Sequence, residues 1–270
     1  MRKYFAIFGL LLMFSSCSEF QKALKSEDTK TKFELGTKLY EEGKWNKANR
    51  LFAQIVPNYR GKPQAEKLMF MYSNSFYELK DYHISGYQFD RFVTAYANSE
   101  KVEQAAFLAA KSYYQLSPIY SKEQAETIEA IEKLQLFINR YPESQYLSEA
   151  NEMVKELDYK LEKKDFEIGK QYNYTARVSI DYLACIKSMD NLLLKYPGTT
   201  FREEALFWKL DSAYKLAVNS IESKKEERVN TALTYYNNYM KSAKDEELKE
   251  QANQMNTELL ELQKQYNTKS

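Results

Sequence analysis

One histidine and two cysteines in 270 residues leave little from which to build a metal centre or a thiol- or imidazole-based catalyst. Glycine (7) and proline (5) are almost as scarce. A sandwich or barrel spends many glycines on turns, and a nucleotide-binding α/β enzyme spends them on phosphate loops. Neither supply is present, and the seven glycines form neither a Walker loop nor a dinucleotide fingerprint. Charge of one sign is lacking too: 39 basic residues face 38 acidic ones, which provides no general attraction to nucleic acid. What is abundant is tyrosine, at 23 residues, within a chain 44% hydrophobic and 29% charged. That composition can build a core.

No apolar run reaches the roughly 20 residues of a membrane-spanning helix. The longest, Tyr4 to Phe14, follows the basic start Met1-Arg2-Lys3 and precedes Ser15-Ser16-Cys17. This is the layout of a secretory signal, and Ser15-Ser16-Cys17 resembles the lipobox of bacterial lipoproteins. Phe14 stands where Leu, Val or Ile is usual. The expectation is a signal over residues 1–16 and a lipidated Cys17 as the mature N-terminus. Residues 17–31 then form a polar tether, and the covalent lipid is the only non-protein group. Loss of Arg2 and Lys3 would leave 37 basic residues against 38 acidic. Cys185, alone in the mature chain and flanked by apolar residues, reads as a buried structural thiol with no disulfide partner.

The body repeats. Phe33, Leu39 and Tyr40 recur 37 residues on as Phe70, Phe76 and Tyr77, and again as Phe107, Tyr113 and Tyr114. Phe52, Ile55 and Tyr59 become Phe89, Phe92 and Tyr96 at the same shift, and Leu134, Phe137 and Tyr141 a further 45 on. Eight extra residues therefore lie inside the third unit, near Ser117 to Ser121. Met189, Leu192 and Tyr196 continue the series, preceded by a long helix from Ser148 to about Tyr172; Phe207 and Tyr214 open the last unit. Glu222 to Arg228 reads as a charged loop, and Glu246 to Gln265 as an amphipathic cap. The order Leu35-Gly36, Gly43, Trp45, Ala48, Phe52 resembles the tetratricopeptide repeat, a helical hairpin that must stack on neighbours. The expected fold is all-α: a superhelical array of about five such hairpins with a C-terminal capping helix, repeats one to three over 32–143 and the rest over 144–270. Proline after Tyr141 and Tyr196 stops the second helices, and the polar residue that follows can cap the next one.

Two roles suit the first-helix aromatics. Packing in the seam is one. The other follows from the repeat family, in which first helices line the concave face. Phe33, Thr37 and Tyr40, Phe70, Asn74 and Tyr77, and Phe107, Lys111 and Tyr114 would then form a ladder for an extended peptide ending in an aromatic residue and a carboxylate. On that view Tyr40→Ala with Tyr77→Ala weakens peptide binding and leaves thermal unfolding nearly unchanged. Catalysis has little support: adjacent acids such as Glu203-Glu204 splay apart on a helix, and His83, in an inter-helix turn, has no second strong ligand nearby.

The start Cys17-Ser18-Glu19-Phe20, the endings Phe137-x-x-x-Tyr141-Pro142-x-Ser144 and Lys195-Tyr196-Pro197-x-Thr199, and the long helix between them resemble the BamD family of outer-membrane assembly lipoproteins. The sparse glycine and plentiful Tyr, Lys and Asn resemble Bacteroidetes usage. The resemblance implies a non-enzymatic scaffold on the periplasmic face of the outer membrane, anchored by its lipid. Its implied partners are a barrel-forming assembly subunit with periplasmic repeats, unfolded barrel proteins and further small lipoproteins, with no nucleic acid. The first three hairpins would hold substrate and the last two the assembly subunit. A glycan- or transporter-associated repeat lipoprotein is the alternative; an enzyme with an unrecognised site is a more distant one.

Overall fold

The computed structural model describes residues 19–179 and 181–267. Cys17 and the signal lie outside the described residues. Among those residues every regular element is helical: α1 (residues 19–25), α2 (Thr29–Glu41), α3 (Trp45–Ile55), α4 (Ala65–Glu78), α5 (Tyr82–Ala95), α6 (Val102–Leu116), α7 (Ala125–Arg140), α8 (Leu147–Ser179), α9 (Leu183–Lys195), α10 (Arg202–Val218), α11 (Glu222–Met240) and α12 (Glu246–Asn267). A short 3-10 turn, Val56–Tyr59, follows α3. The pairs α2–α3, α4–α5, α6–α7, α8–α9 and α10–α11 are the five hairpins, and α12 is the cap. The array expected from the 37-residue period is therefore present.

Local chemistry sets the boundaries. Asp28 starts α2 by accepting from the amides of Lys30 and Thr31 at 3.0 and 3.2 Å. The second helices α5, α7 and α9 end at Tyr96, Tyr141 and Tyr196, all with φ near −127° and ψ of 52–77°. Proline enforces that break after the last two, and Tyr96 adopts it before an alanine. Ser99, Ser144 and Thr199, each three residues past such a tyrosine, accept with their hydroxyls from the amide two residues on, at 3.0, 3.0 and 3.2 Å. Each bond ends on the residue just before α6, α8 or α10 and closes a short turn there. Lys101 and Phe201, the N-cap residues of α6 and α10, make no side-chain cap bond, so the expected capping of the next helix is corrected to a turn that leads into it.

The chain divides into two compact units. The first holds residues 19–118 and 123–157. Its core runs from Phe20, Leu51, Phe52 and Ile55 through Phe70, Phe89 and Phe92 to Phe107, Leu134, Phe137 and Leu157. The second holds 119–122 and 158–267, with a core of Phe166, Cys185, Met189, Leu192, Phe207, Leu210 and Tyr239. Helix α8 serves both: Ala150, Met153 and Leu157 complete the first, and Phe166 and Ala176 belong to the second. The inserted residues fall between α6 and α7, as expected. Within the second unit Tyr120 from that insertion lies under the Lys163 ammonium, 4.7 Å from its ring centre, and Lys164 donates to the Lys122 carbonyl at 2.9 Å.

Three further expectations are corrected. The polar tether does not persist to residue 31: residues 19–25 are helical, Phe20 and Ala23 are each 3% exposed, and α2 starts at Thr29. An aromatic ring that can enter the first hairpin's core outweighs the polar residues around it. The charged stretch Glu222 to Arg228 is the first two turns of α11, where Glu222 pairs with Lys225 at i,i+3. His83 sits exposed in the first turn of α5.

Candidate functional site

The nine first-helix positions separate into two classes. Phe33, Phe70 and Phe107 are 7%, 7% and 3% exposed. Phe33 stacks on Tyr59, Phe70 meets Phe89 and Phe92 edge-on, and Phe107 stacks on Tyr146 with ring centres 4.5 Å apart. They fill seams between helices, so the phenylalanine rungs of the expected ladder are corrected to core residues.

The polar positions are bonded to one another. Asn74 donates to the Tyr40 hydroxyl at 2.7 Å. Lys111 interacts electrostatically with Tyr77 and donates to Glu149 at 2.7 Å. Tyr114 donates to Glu156 at 2.6 Å. The second unit continues the pattern, with Asn173 donating to Asp211 at 2.6 Å and Tyr214 donating to Glu258 of α12. Tyr40, Tyr114, Asn173 and Tyr214 reach from the later turns of one first helix to the interior of the next or of the cap, and Lys111 reaches from the interior of α6 to the first turn of α8. The Tyr40–Asn74 separation is 34 residues and the Tyr114–Glu156 separation 42, so the eight-residue insertion leaves the geometric register intact. Thr37, at the corresponding place in α2, has no preceding hairpin to meet among the described residues, and its buried hydroxyl has no partner among them.

Burial, with Glu156 second, pushes the Tyr114 hydroxyl up to about 12. Burial and Glu258 do the same for Tyr214. Burial also raises Tyr40 and Tyr77, against the bond from Asn74 and the charge of Lys111 respectively. For Lys111 burial works downward, but Glu149 and Tyr77 override it and raise the ammonium. These hydroxyls remain protonated donors or acceptors at neutral pH and bind helix to helix. Tyr40 also packs edge-on against Trp45, ring centres 4.9 Å apart. Tyr40→Ala with Tyr77→Ala should therefore lower the melting temperature, which corrects the expectation of unchanged unfolding.

Space for a ligand lies beside the ladder. A cleft of about 690 Å³ in the first unit is lined by Tyr40 of α2, Glu66, Phe70 and Met71 of α4, and Ser99 and Lys101 ahead of α6. The Lys101 ammonium stands 4.7 Å from the Phe70 ring centre, and Ser99 donates to Glu66 at 2.5 Å. Sequence reasoning missed Glu66, though its signal was readable. Glu103 and Glu203 stand 37 and 137 residues on; Glu103 accepts from Ser144 at 2.6 Å, and Glu203 from the amides of Lys244 and Asp245 at 2.5 and 2.7 Å. In each case the carboxylate ties a first helix to the loop that leads into the next first helix or the cap.

The second unit has its own concavity of about 350 Å³, with Leu183, Ile186, Leu216 and Tyr235 as walls and Lys224 and Arg228 at the rim. Leu183 is 54% exposed, and nearby in the chain Ile221 is 68% exposed. Cys185 is fully buried, as expected, and burial pushes its thiol up. Among the described residues no helix is long and apolar enough to cross a membrane, and no group of His, Cys, Asp and Glu is placed to hold a metal ion.

Comparison with known proteins assigns the array. The family model YfiO, described as an outer membrane lipoprotein, matches residues 25–229. The chain belongs to the YfiO family. This is the BamD type that the repeat endings and long helix resemble, and the match spans both YfiO-family units. No curated protein matches the chain. Among solved structures, a Podosopora anserina chain described as a kinesin light chain with nearly identical TPR-like repeats is 12% identical over 78% of this chain and 97% of its own, with a TM-score of 0.32. A computationally designed self-assembling cyclic homo-oligomer is 15% identical over 98% and 96%, with a TM-score of 0.20. Neither score supports a matching arrangement over the whole chain.

Proposed function

We propose that this YfiO-family protein is a non-enzymatic scaffold of the outer-membrane β-barrel assembly machinery, anchored through a lipid on Cys17 at the periplasmic face. The observation that carries the reading is the family match over residues 25–229. The cleft of the first unit is the proposed seat for the C-terminal segment of an unfolded barrel protein. Phe70 and Met71 offer an apolar floor for an aromatic side chain, and Lys101 offers a charge for the terminal carboxylate beside it. Unfolded barrel strands carry unpaired backbone groups, and a stiff array can shelter one end without any covalent step. The exposed Leu183 and Ile221 and the Lys224–Arg228 rim of the second unit are the proposed contact for the barrel-forming assembly subunit. Small lipoproteins would be further partners of the same complex.

The test is purification from the native envelope in mild detergent through a C-terminal tag, with partners identified by mass spectrometry. Stoichiometric recovery of a large barrel protein bearing periplasmic repeats is the expected result. Recovery of a nutrient transporter, or of no barrel protein, would sink the assembly reading.

A further inference from the structure

The burial of Phe20 leaves almost no slack between the folded body and Cys17. Phe20 and Ala23 sit in the core of the first hairpin. Lys47 and Arg50, one turn apart on α3, place an ammonium 5.6 Å and a guanidinium 5.4 Å from the Phe20 ring centre. Lys22 and Lys25 are exposed on α1 itself. None of these four cations has a carboxylate partner among the described residues, and Glu19 is the one acid on α1. Phe20 follows Cys17 by three residues, a reach of at most about 11 Å when fully extended. The Debye length at physiological ionic strength is about 8 Å, so the attraction of these charges to a bilayer surface depends on the body lying close against it and weakens as salt is added.

We propose that the α1–α3 face of the first hairpin lies on the membrane, with Lys22, Lys25, Lys47 and Arg50 engaging anionic phospholipid headgroups beside the acyl anchor. The proposal rests on the lipoprotein reading of Cys17 and deepens it. An acyl chain alone fixes a point, whereas a basic face next to it is a second membrane signal. It also restricts how the body can turn about that point. A chain with almost balanced charge overall thus keeps a local cationic surface where a headgroup layer would meet it.

The test uses the mature full-length chain carrying Cys17→Ser, so that no acyl chain contributes, and vesicles of phosphatidylcholine with or without phosphatidylglycerol. Sedimentation with the vesicles should require phosphatidylglycerol and weaken as salt is added. Each cation near an anionic surface strengthens partitioning about five-fold, so Lys47→Gln with Arg50→Gln should lower it by about 25-fold. Because Lys47 and Arg50 flank a core ring, Lys22→Gln with Lys25→Gln is the second pair, and it should lose binding at an unchanged melting temperature. Equal sedimentation with both vesicle types overturns the proposal, as does full binding by the second pair. The anchor is read separately from the intact mass of the membrane-extracted wild-type protein. An unmodified Cys17 overturns the anchor and with it the apposition, whereas vesicle failure with an acylated Cys17 overturns the headgroup contact alone.

Discussion

Gly43 and Lys80 stand one repeat apart and occupy the same left-handed position, with φ of 70° and 62°. In both turns the next residue's amide reaches back five residues, Lys44 to the Leu39 carbonyl at 2.8 Å and Asp81 to that of Phe76 at 2.9 Å. This is the Schellman ending of a first helix, and it favours glycine because a Cβ there crowds the backbone. Lys80 is the non-glycine residue held at positive φ among the described residues, and its exposed side chain makes no bond that would compensate. Lys80→Gly should stabilise the protein by about 0.5–1 kcal/mol, the strain of the left-handed conformer less the entropy glycine adds to the unfolded chain. Urea titration of the two proteins at unchanged m-value measures it. A loss of stability would mean that the Lys80 side chain contributes packing absent from this structure.

At the scale of a hairpin, the close approach of its two helices depends on what faces the second one. A Cβ built at Gly36 would lie 2.6 Å from Cε1 of Phe52, whose ring is fully buried in the core and has nowhere to retreat. Gly36→Ala gains about 1 kcal/mol in helix propensity but forces α2 and α3 apart, and overpacking of this kind costs about 1–3 kcal/mol. The expected outcome is a net loss of up to about 2 kcal/mol in chemical denaturation, with Gly198→Ala near zero as the control, because nothing lies within 4 Å of its Cβ position. Most of the hairpin frame was legible in the sequence, because apolar side chains recur at helical spacing and the recurrence itself repeats every 37 residues. The insertion, the long α8 and the cap were legible for the same reason. A repeat period identifies equivalent positions, but it does not say which of them meet across a seam. That Asn74 meets Tyr40, three residues short of a full period away, became visible only with the helices stacked. Helix α1 was hidden because seven polar-rich residues carry no period, and only packing of Phe20 against the first hairpin selects it.

Over the whole molecule the rungs recur in both compact units, and each links only consecutive first helices or a first helix and the cap. Stability in such an array approximates a sum of hairpin terms and nearest-neighbour terms. The ladder makes that statement measurable. Tyr40→Phe removes the acceptor for Asn74 in the first unit, and Tyr214→Phe removes the donor to Glu258 in the second. Each should cost about 0.5–1.5 kcal/mol, the usual net worth of one hydrogen bond. Combined, the two losses should add within about 0.5 kcal/mol, because they share no neighbour. Tyr40→Phe with Asn74→Ala should behave differently: the pair removes one bond from both ends, so the double variant should lose less than the sum of its singles. If the distant pair couples as strongly as the adjacent one, stability is not carried hairpin by hairpin. The rungs would then belong to one cooperative body, and a ligand seated near Tyr40 would be felt as far as α12.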